Sequence, residues 1–188
     1  VFMEGAELAK NLDTIKRVET YLTNLTTIVS NFTQIAPDGS LTSGKFLLKR
    51  PGKMRWQYNP PTPILMISNG SSLIYYDYEL EQVSYTSLDS TLISFLAQQP
   101  ISFTKNVAIT ELSKEAGVVR ISLAQRDKPT EGQLMLEFSD NPLQLRNMVI
   151  RDATNQITSV SLEDAKFGTE LKDQLFVFED PRESHKRR

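Results

Sequence analysis

The sequence predicts an α+β fold: one antiparallel sheet, closed into a barrel or strongly curved, with a helix before it and a single helical interruption within it. Three observations predict it. Short runs rich in β-branched, Leu and aromatic residues recur through most of the chain, separated by turn residues and with no helices alternating between them. A stripe of apolar residues three and four apart precedes the first run, and a second helical pattern breaks the series at residues 88–100. At 188 residues the chain is long enough for a single domain with a sizeable core.

Taken in order, Leu8, Leu12, Ile15, Val18, Leu22 and Leu25 mark one face of an amphipathic helix over residues 5–25. Residues 28–35 read as the first strand and end at the turn cluster Pro37-Asp-Gly-Ser40. Residues 44–58 read as two strands joined by a Pro51-Gly52 turn, where Pro presets the second turn position and Gly supplies the third. Strand alternation puts Phe46, Leu48 and Arg50 on one face and Lys45, Leu47 and Lys49 on the other. Past the turn, Met54, Trp56 and Tyr58 face opposite to Lys53, Arg55 and Gln57. With the apolar rows inward, Arg50 is the one charge on an inward row, at the mouth of an apolar concavity. The pattern also allows Arg50 to bend outward to water from the strand end.

Asn59-Pro-Pro-Thr-Pro63 is an irregular connection, because Pro cannot donate to a ladder. Residues 64–67 and 73–76 flank the hairpin signal Asn69-Gly70, and residues 82–85 continue the meander. At residues 88–100, Asp89 or Ser90 caps a short helix with Leu88, Leu92, Phe95 and Leu96 on one side, and Pro100 stops it. An interruption of this kind is where a lid would be inserted. Strands over residues 107–112, 118–124, 133–138, 145–150 and 157–162 follow, with turn clusters between them.

With 21 basic and 23 acidic residues the net charge is −2, which gives no global attraction to nucleic acid. Lys45, Lys49, Arg50, Lys53 and Arg55, interleaved with Trp56 and Tyr58, could form a single-strand groove. Alternation splits them between two faces, so a solvated outer face and no nucleic-acid partner are expected. There is no cysteine for a disulfide, a thiolate ligand or lipidation. The only histidine is His185, in a charged tail, which closes imidazole-dependent hydrolase chemistry. Clustered metal ligands and Gly-rich phosphate loops are missing too, so no metal and no cofactor are expected. Asp77, Glu79, Glu81, Glu163 and Asp164 lie in turns and at strand ends, where solvated surface is expected rather than acid–base catalysis. No stretch approaches the roughly 20 apolar residues of a membrane-spanning helix.

The block Gly44-x-Phe-x-x-Lys-Arg-Pro51, then Arg55-Trp-x-Tyr58, Ser68-Asn-Gly-Ser-Ser-Leu-Ile-Tyr-Tyr-Asp77 and Leu80-Glu-Gln-Val83, resembles the LolA family of periplasmic lipoprotein carriers. Residues 152–162 and Phe176-Val-Phe-Glu-Asp-Pro181 resemble it as well, so the resemblance covers most of the chain. It implies a single-domain incomplete antiparallel β-barrel, a half-barrel, enclosing an apolar cavity covered by the N-terminal helix and a helical lid insertion. Residues 1–181 would be the carrier domain and 182–188 a basic, flexible tail. The inward rows and both helical stripes give the expected acyl-chain lining: Leu12, Ile15, Leu22, Phe46, Leu48, Met54, Trp56, Met66, Leu92, Phe95 and Leu96.

The resemblance further implies that Arg50, which matches the arginine of the family's Lys-Arg-Pro motif, hydrogen-bonds lid carbonyls while the carrier is empty. Its implied partners are acylated lipoproteins as cargo, an inner-membrane lipoprotein-releasing ABC transporter as donor, and the outer-membrane receptor LolB or an equivalent as acceptor. It implies a monomeric, processed, periplasmic chain without enzymatic activity. Two positions depart from the family pattern: Met54 stands where Phe or Leu is frequent, and Ile74 where Trp is frequent. Two other functions remain open, a non-carrier lipid-binding or envelope-sensing domain of the same fold and a carboxylate-dependent hydrolase.

Overall fold

The computed structural model describes residues 2–88 and 92–185. Strands β1 (Thr27–Ile35), β2 (Leu41–Lys49), β3 (Lys53–Tyr58), β4 (Ile64–Asn69), β5 (Ser72–Asp77) and β6 (Gln82–Ser87) form the first run. The second comprises β7 (Val107–Glu115), β8 (Val118–Gln125), β9 (Gly132–Ser139), β10 (Gln144–Asp152) and β11 (Ile157–Phe167). Together they make one antiparallel sheet in the order β6-β5-β4-β3-β2-β1-β11-β10-β9-β8-β7. Within each run, short connections lay each strand beside its predecessor, as at Gly52 (φ +77°) and at Ala116-Gly117 (φ +50° and +76°). Only the β1–β11 pair joins strands distant in sequence.

The sheet wraps without closing. Side chains from β3 and from β9, on opposite halves, meet in one apolar cluster that includes Trp56 and Leu136, while β6 and β7 remain unpaired with each other. These two strands are consecutive in sequence and lie at opposite edges of the sheet, so the chain between them must cross the mouth of the half-barrel. That crossing segment carries the lid helix, Leu92–Ala97. It is a 3-10 helix, which aligns Leu92 with Phe95 at i and i+3 on one side. The expected caps Asp89 and Ser90 lie outside the described residues.

The single helix expected over residues 5–25 is two, α1 (Ala6–Lys10) and α2 (Leu12–Asn24). They part at Asn11, whose Nδ2 donates to the Glu7 carbonyl at 2.9 Å and so closes the end of α1. The break turns the stripe: Ile15, Val18 and Leu22 are buried, whereas Leu12 is 44% exposed. Leu12 is therefore not part of the apolar lining, contrary to expectation.

The outer face of the sheet is also partly covered. After β11 the chain crosses β2–β4 as a strap with a 3-10 turn at Asp173–Phe176, then makes a helical turn α3 (Pro181–His185). Leu171 and Phe176 cover Leu47, and Phe178 lies over Leu65, Ile67 and Tyr76. The basic row expected to be solvated grips this strap. Lys49 Nζ donates to the Leu171 carbonyl at 2.7 Å, Arg55 Nη1 to the Leu175 carbonyl at 3.0 Å, and Lys49 and Lys53 pair with Asp173 at 2.8 and 2.9 Å. The last three residues, 186–188, lie outside the described ones.

Gly44, the first residue of the recognised motif, is required by close approach. A Cβ there would stand 2.1 Å from the Gln57 carbonyl oxygen and 2.8 Å from Phe32 Cζ. Backbone cannot yield as a side chain can, so Gly44→Ala is expected to destabilise the fold by about 1–3 kcal/mol or more. Urea unfolding checks this; an unchanged midpoint would show that β2 and β3 separate freely.

Candidate functional site

The concave face is built from cross-strand pairs. Phe46 opposes Trp56 and Leu48 opposes Met54 across β2 and β3, and Met66 of β4 continues the row beside Trp56. Trp56 stacks on Phe46 with ring centroids 4.1 Å apart and meets Phe32 edge-on at 5.1 Å. Phe46, Leu48, Met54 and Trp56 are buried, and Met66 is half-buried against them. The lining predicted from alternation is thus brought together, except for Leu12.

What covers the lining is the chain itself. Ile15, Val18 and Leu22 of α2 and Phe95 and Leu96 of the lid pack onto it, each at most 4% exposed, and Phe103 lies against Phe95 at 5.1 Å. Leu92 is half-buried at the rim of the same cluster. The apolar cavity expected beneath the two helical covers is therefore filled in this form: side chains of α2 and of the crossing segment pack into the concave face.

Arg50 bridges the two covering elements. Only 7% exposed, it donates from Nε to the Leu96 carbonyl at 2.9 Å and from Nη1 to the Leu25 carbonyl. Leu25 caps the C-terminus of α2 and Leu96 lies in the last turn of the lid helix, so one cation meets the negative ends of both covering elements. Gly52 N–H adds a bond to the Ala97 carbonyl at 2.8 Å, so the β2–β3 turn and the lid are joined twice. Among the described residues the third nitrogen, Nη2, is buried without a partner. Burial lowers the Arg50 pKa to about 10, which leaves it charged at neutral pH while its charge is costly to bury.

Further contacts fix α2 in place. Glu19 Oε1 accepts the Phe103 N–H at 3.0 Å and Thr23 Oγ1 accepts the Ile101 N–H at 3.2 Å, tying the end of the crossing segment to the helix. On its other side, Tyr21 Oη accepts the Leu145 N–H at 3.0 Å and Arg17 pairs with Asp140. These residues escaped the sequence reading. Glu19 and Thr23 flank the stripe Ile15-Val18-Leu22, the one available signal, and the acceptors Leu25 and Leu96 act through backbone carbonyls that no side-chain pattern marks.

Hydrogen bonds from Arg17 hold the Asp140 pKa down to about 2, and bonds from Lys49 and Lys53 do the same for Asp173. A carboxyl whose folded value is depressed adds stability that is complete above its unfolded value and is lost as the pH falls through the folded one. Both ties are therefore expected to weaken between about pH 4 and 2, freeing the strap and one side of α2. Hydrogen exchange on residues 168–180 across that interval checks this, and Asp173→Asn should abolish the strap's dependence. Exchange that is flat across the interval in the unaltered chain would contradict it.

The carboxylates Asp77, Glu79, Glu81, Glu163 and Asp164 do not assemble into an acid–base pair. Asp77 accepts the N–H groups of Glu79 and Leu80 in the β5–β6 turn, and Glu163 accepts the Thr33 hydroxyl across β1–β11. Among the described residues no group of three or more His, Asp or Glu could hold a metal ion, and no helix is long and apolar enough to cross a membrane.

Comparison with known proteins agrees with this geometry. The family model described as "Outer membrane lipoprotein carrier protein LolA" matches residues 23–179. A protein of Azotobacter vinelandii named outer-membrane lipoprotein carrier protein is 34% identical over 178 residues, covering 89% of this chain and 84% of its own. One of the same name from Pseudomonas aeruginosa is 34% identical over 190 residues, covering 94% and 89%. Among solved structures, an uncharacterized conserved protein from Thermus thermophilus superposes with a TM-score of 0.52 at 8% identity, covering 92% of this chain and 94% of its own, a likeness of fold alone.

Proposed function

This chain belongs to the LolA family of outer-membrane lipoprotein carrier proteins, and from that premise we propose that it carries acylated lipoproteins through the periplasm. On this reading it takes them from an inner-membrane ABC exporter and hands them to an outer-membrane receptor, LolB or an equivalent, with no covalent step. Residues 1–181 are its working unit.

The observation that carries the reading is an apolar concave face plugged by the chain's own lid and held by one buried arginine. Each acyl CH₂ moved from lipid into water costs about 0.8 kcal/mol, so a multiply acylated protein needs an apolar host to cross an aqueous gap. A host that only bound would never deliver. Refilling the vacated face with Phe95, Leu96 and the α2 stripe offsets part of the cost of giving up the cargo, which makes release reversible.

Depletion in cells tests the whole route: lipoproteins should accumulate in the inner membrane, and normal sorting would favour a sensing role. In vitro, an environment-sensitive dye should bind near one to one and be displaced by acyl chains. Its entry should be visible in the emission of Trp56, the only tryptophan. Removing residues 183–188 is expected to leave this binding unchanged, which equilibrium titration checks; absence of saturable binding in the full chain would overturn the carrier reading.

A further inference from the structure

The two edges of the sheet are finished differently. At β7 the ladder is broken by a bulge between Ile109 and Glu111, the Met3 N–H bonds the Ile109 carbonyl at 2.7 Å, and the strand carries Glu111, Lys114 and Glu115. Bulges, charges and covering segments are the means by which edges are kept from pairing with other chains. Among the described residues β6 shows none of them. Gln82-Val-Ser-Tyr-Thr-Ser87 contains no charge and no proline, and it pairs with β5 over six positions without a register shift. Its other side meets no strand.

The ladder decides which groups that side offers. The Leu88 N–H bonds the Ser71 carbonyl at 3.1 Å, one position beyond the Ser72–Ser87 pair. Bonded and non-bonded pairs alternate in an antiparallel ladder, so Gln82, Ser84 and Thr86 turn their backbone groups towards β5, and Val83 and Tyr85 turn theirs outward. Among the described residues nothing bonds the outward groups of Val83 and Tyr85. Val83 packs on Leu65, Ile67 and Tyr76 of the convex face, and Tyr85, opposite Ile74, prolongs that row while 65% exposed. At one end of the edge, the β5–β6 turn lifts Tyr78 and Leu80 into solvent together with Glu79 and Glu81. Neither glutamate has an ion-pair partner among the described residues.

We propose that β6 is a docking edge for an extended, basic segment of a partner protein, which adds to the sheet as a further strand. Main-chain bonds to Val83 and Tyr85 hold it, an apolar side chain lies against Tyr85, and a lysine or arginine meets Glu79 and Glu81. Charge selects this occupant over a second copy of the chain. Residues 77–88 contain three carboxylates and no cation, and Arg182, whose charge is felt at Tyr85, is already held by Asp180 at 2.7 Å. The edge leaves the concave face free, so the inference goes beyond the carrier reading and stands without it.

The probe is a short synthetic peptide of alternating valine and threonine with lysine at both ends, which suits either strand direction. At saturation it should slow amide exchange at Val83 and Tyr85 about tenfold or more, read residue by residue by NMR, and leave Ser84 and Thr86, already turned to β5, unchanged. N-methylation of one set of alternate peptide amides should weaken binding about tenfold or more, and methylation of the other set should not. Glutamate in place of the lysines, or Glu79→Gln/Glu81→Gln in the protein, should weaken it roughly threefold to tenfold at low salt, where exposed charges are least screened. Tyr85→Pro removes an outward donor and no bond to β5, so it should abolish binding in a folded chain. If that variant does not fold, the two methylated peptides decide. Protection at β7 instead of β6, equal binding of both methylated peptides, or no binding of the lysine peptide at about millimolar concentration overturns the proposal. Dimerisation of the unaltered chain that Tyr85→Pro removes would give the edge to a second copy and overturn it as well. A dye on the concave face should bind with the peptide in place; competition between them would move the peptide to that face and overturn the docking edge, while a dye that fails to bind the chain alone counts only against the carrier reading.

Discussion

Arg50→Leu is expected to take up cargo and fail to release it. On the proposed carrier reading, lid closure and cargo loading compete for one concave face, so whatever destabilises the closed, empty form favours the loaded one. The substitution removes two charge-assisted hydrogen bonds to carbonyls, each contributing ~1.5–3 kcal/mol. Against this stand the burial cost that lowers the Arg50 pKa to about 10 and an Nη2 without a partner among the described residues, both relieved in the variant. A net loss of ~2–3 kcal/mol tightens retention by roughly thirty- to a hundred-and-fifty-fold. Transfer from purified, loaded carrier to its receptor measures this directly. Arg50→Lys should lie between the two, because a point charge does not reproduce a planar fork that spans the ends of two helices. If Arg50→Leu folds but no longer holds cargo, Arg50 contacts the ligand and the latch is wrong.

Phe95→Ala should act on the same equilibrium through packing. The side chain is 1% exposed and touches both the concave cluster and Phe103 in this closed form. Truncating a buried Phe costs ~3–5 kcal/mol, here charged almost wholly to the closed form, since acyl chains replace the ring when the carrier is loaded. Dye affinity is therefore expected to rise more than a hundredfold, exceeding the effect of removing Arg50. The two changes should not add fully: once the open form dominates, no further tightening remains. Titration of both single variants and the double variant checks this. Weaker dye binding in Phe95→Ala would identify Phe95 as a wall of the ligand site and not its plug.

Much of this site was legible because strands impose a period of two. That period alone placed Phe46, Leu48, Met54 and Trp56 on one face, and put Arg50 at the end of their row. It misjudged Leu47, buried at 8% exposure, because strand alternation says nothing of a strap arriving more than a hundred residues later. Leu12 failed for a local reason. A helical stripe presumes an unbroken helix, and Asn11 interrupts it. The latch acceptors were unreadable in principle, since every residue carries the same carbonyl and only the meeting of two helix ends selects those of Leu25 and Leu96. The filled interior was also beyond the sequence: the residues that would line a cavity and those that close it are equally apolar.

The strand order carries a consequence for how the molecule reaches this state. Because every neighbouring pair except β1–β11 is sequential, β1–β6 and β7–β11 can each zip as a local meander, with short loops to close and little chain entropy lost before contacts form. The slow event is then the meeting of Ile28 with Phe167, which joins the two meanders at their oldest and youngest strands. During synthesis the first meander must wait with its β1 edge bare until nearly the whole chain has emerged. Thr27, Ile28, Val29 and Phe32 lie on that waiting edge with no charge among them, a template for pairing with the wrong chain. The seam between the halves is thus the place where folding competes with aggregation.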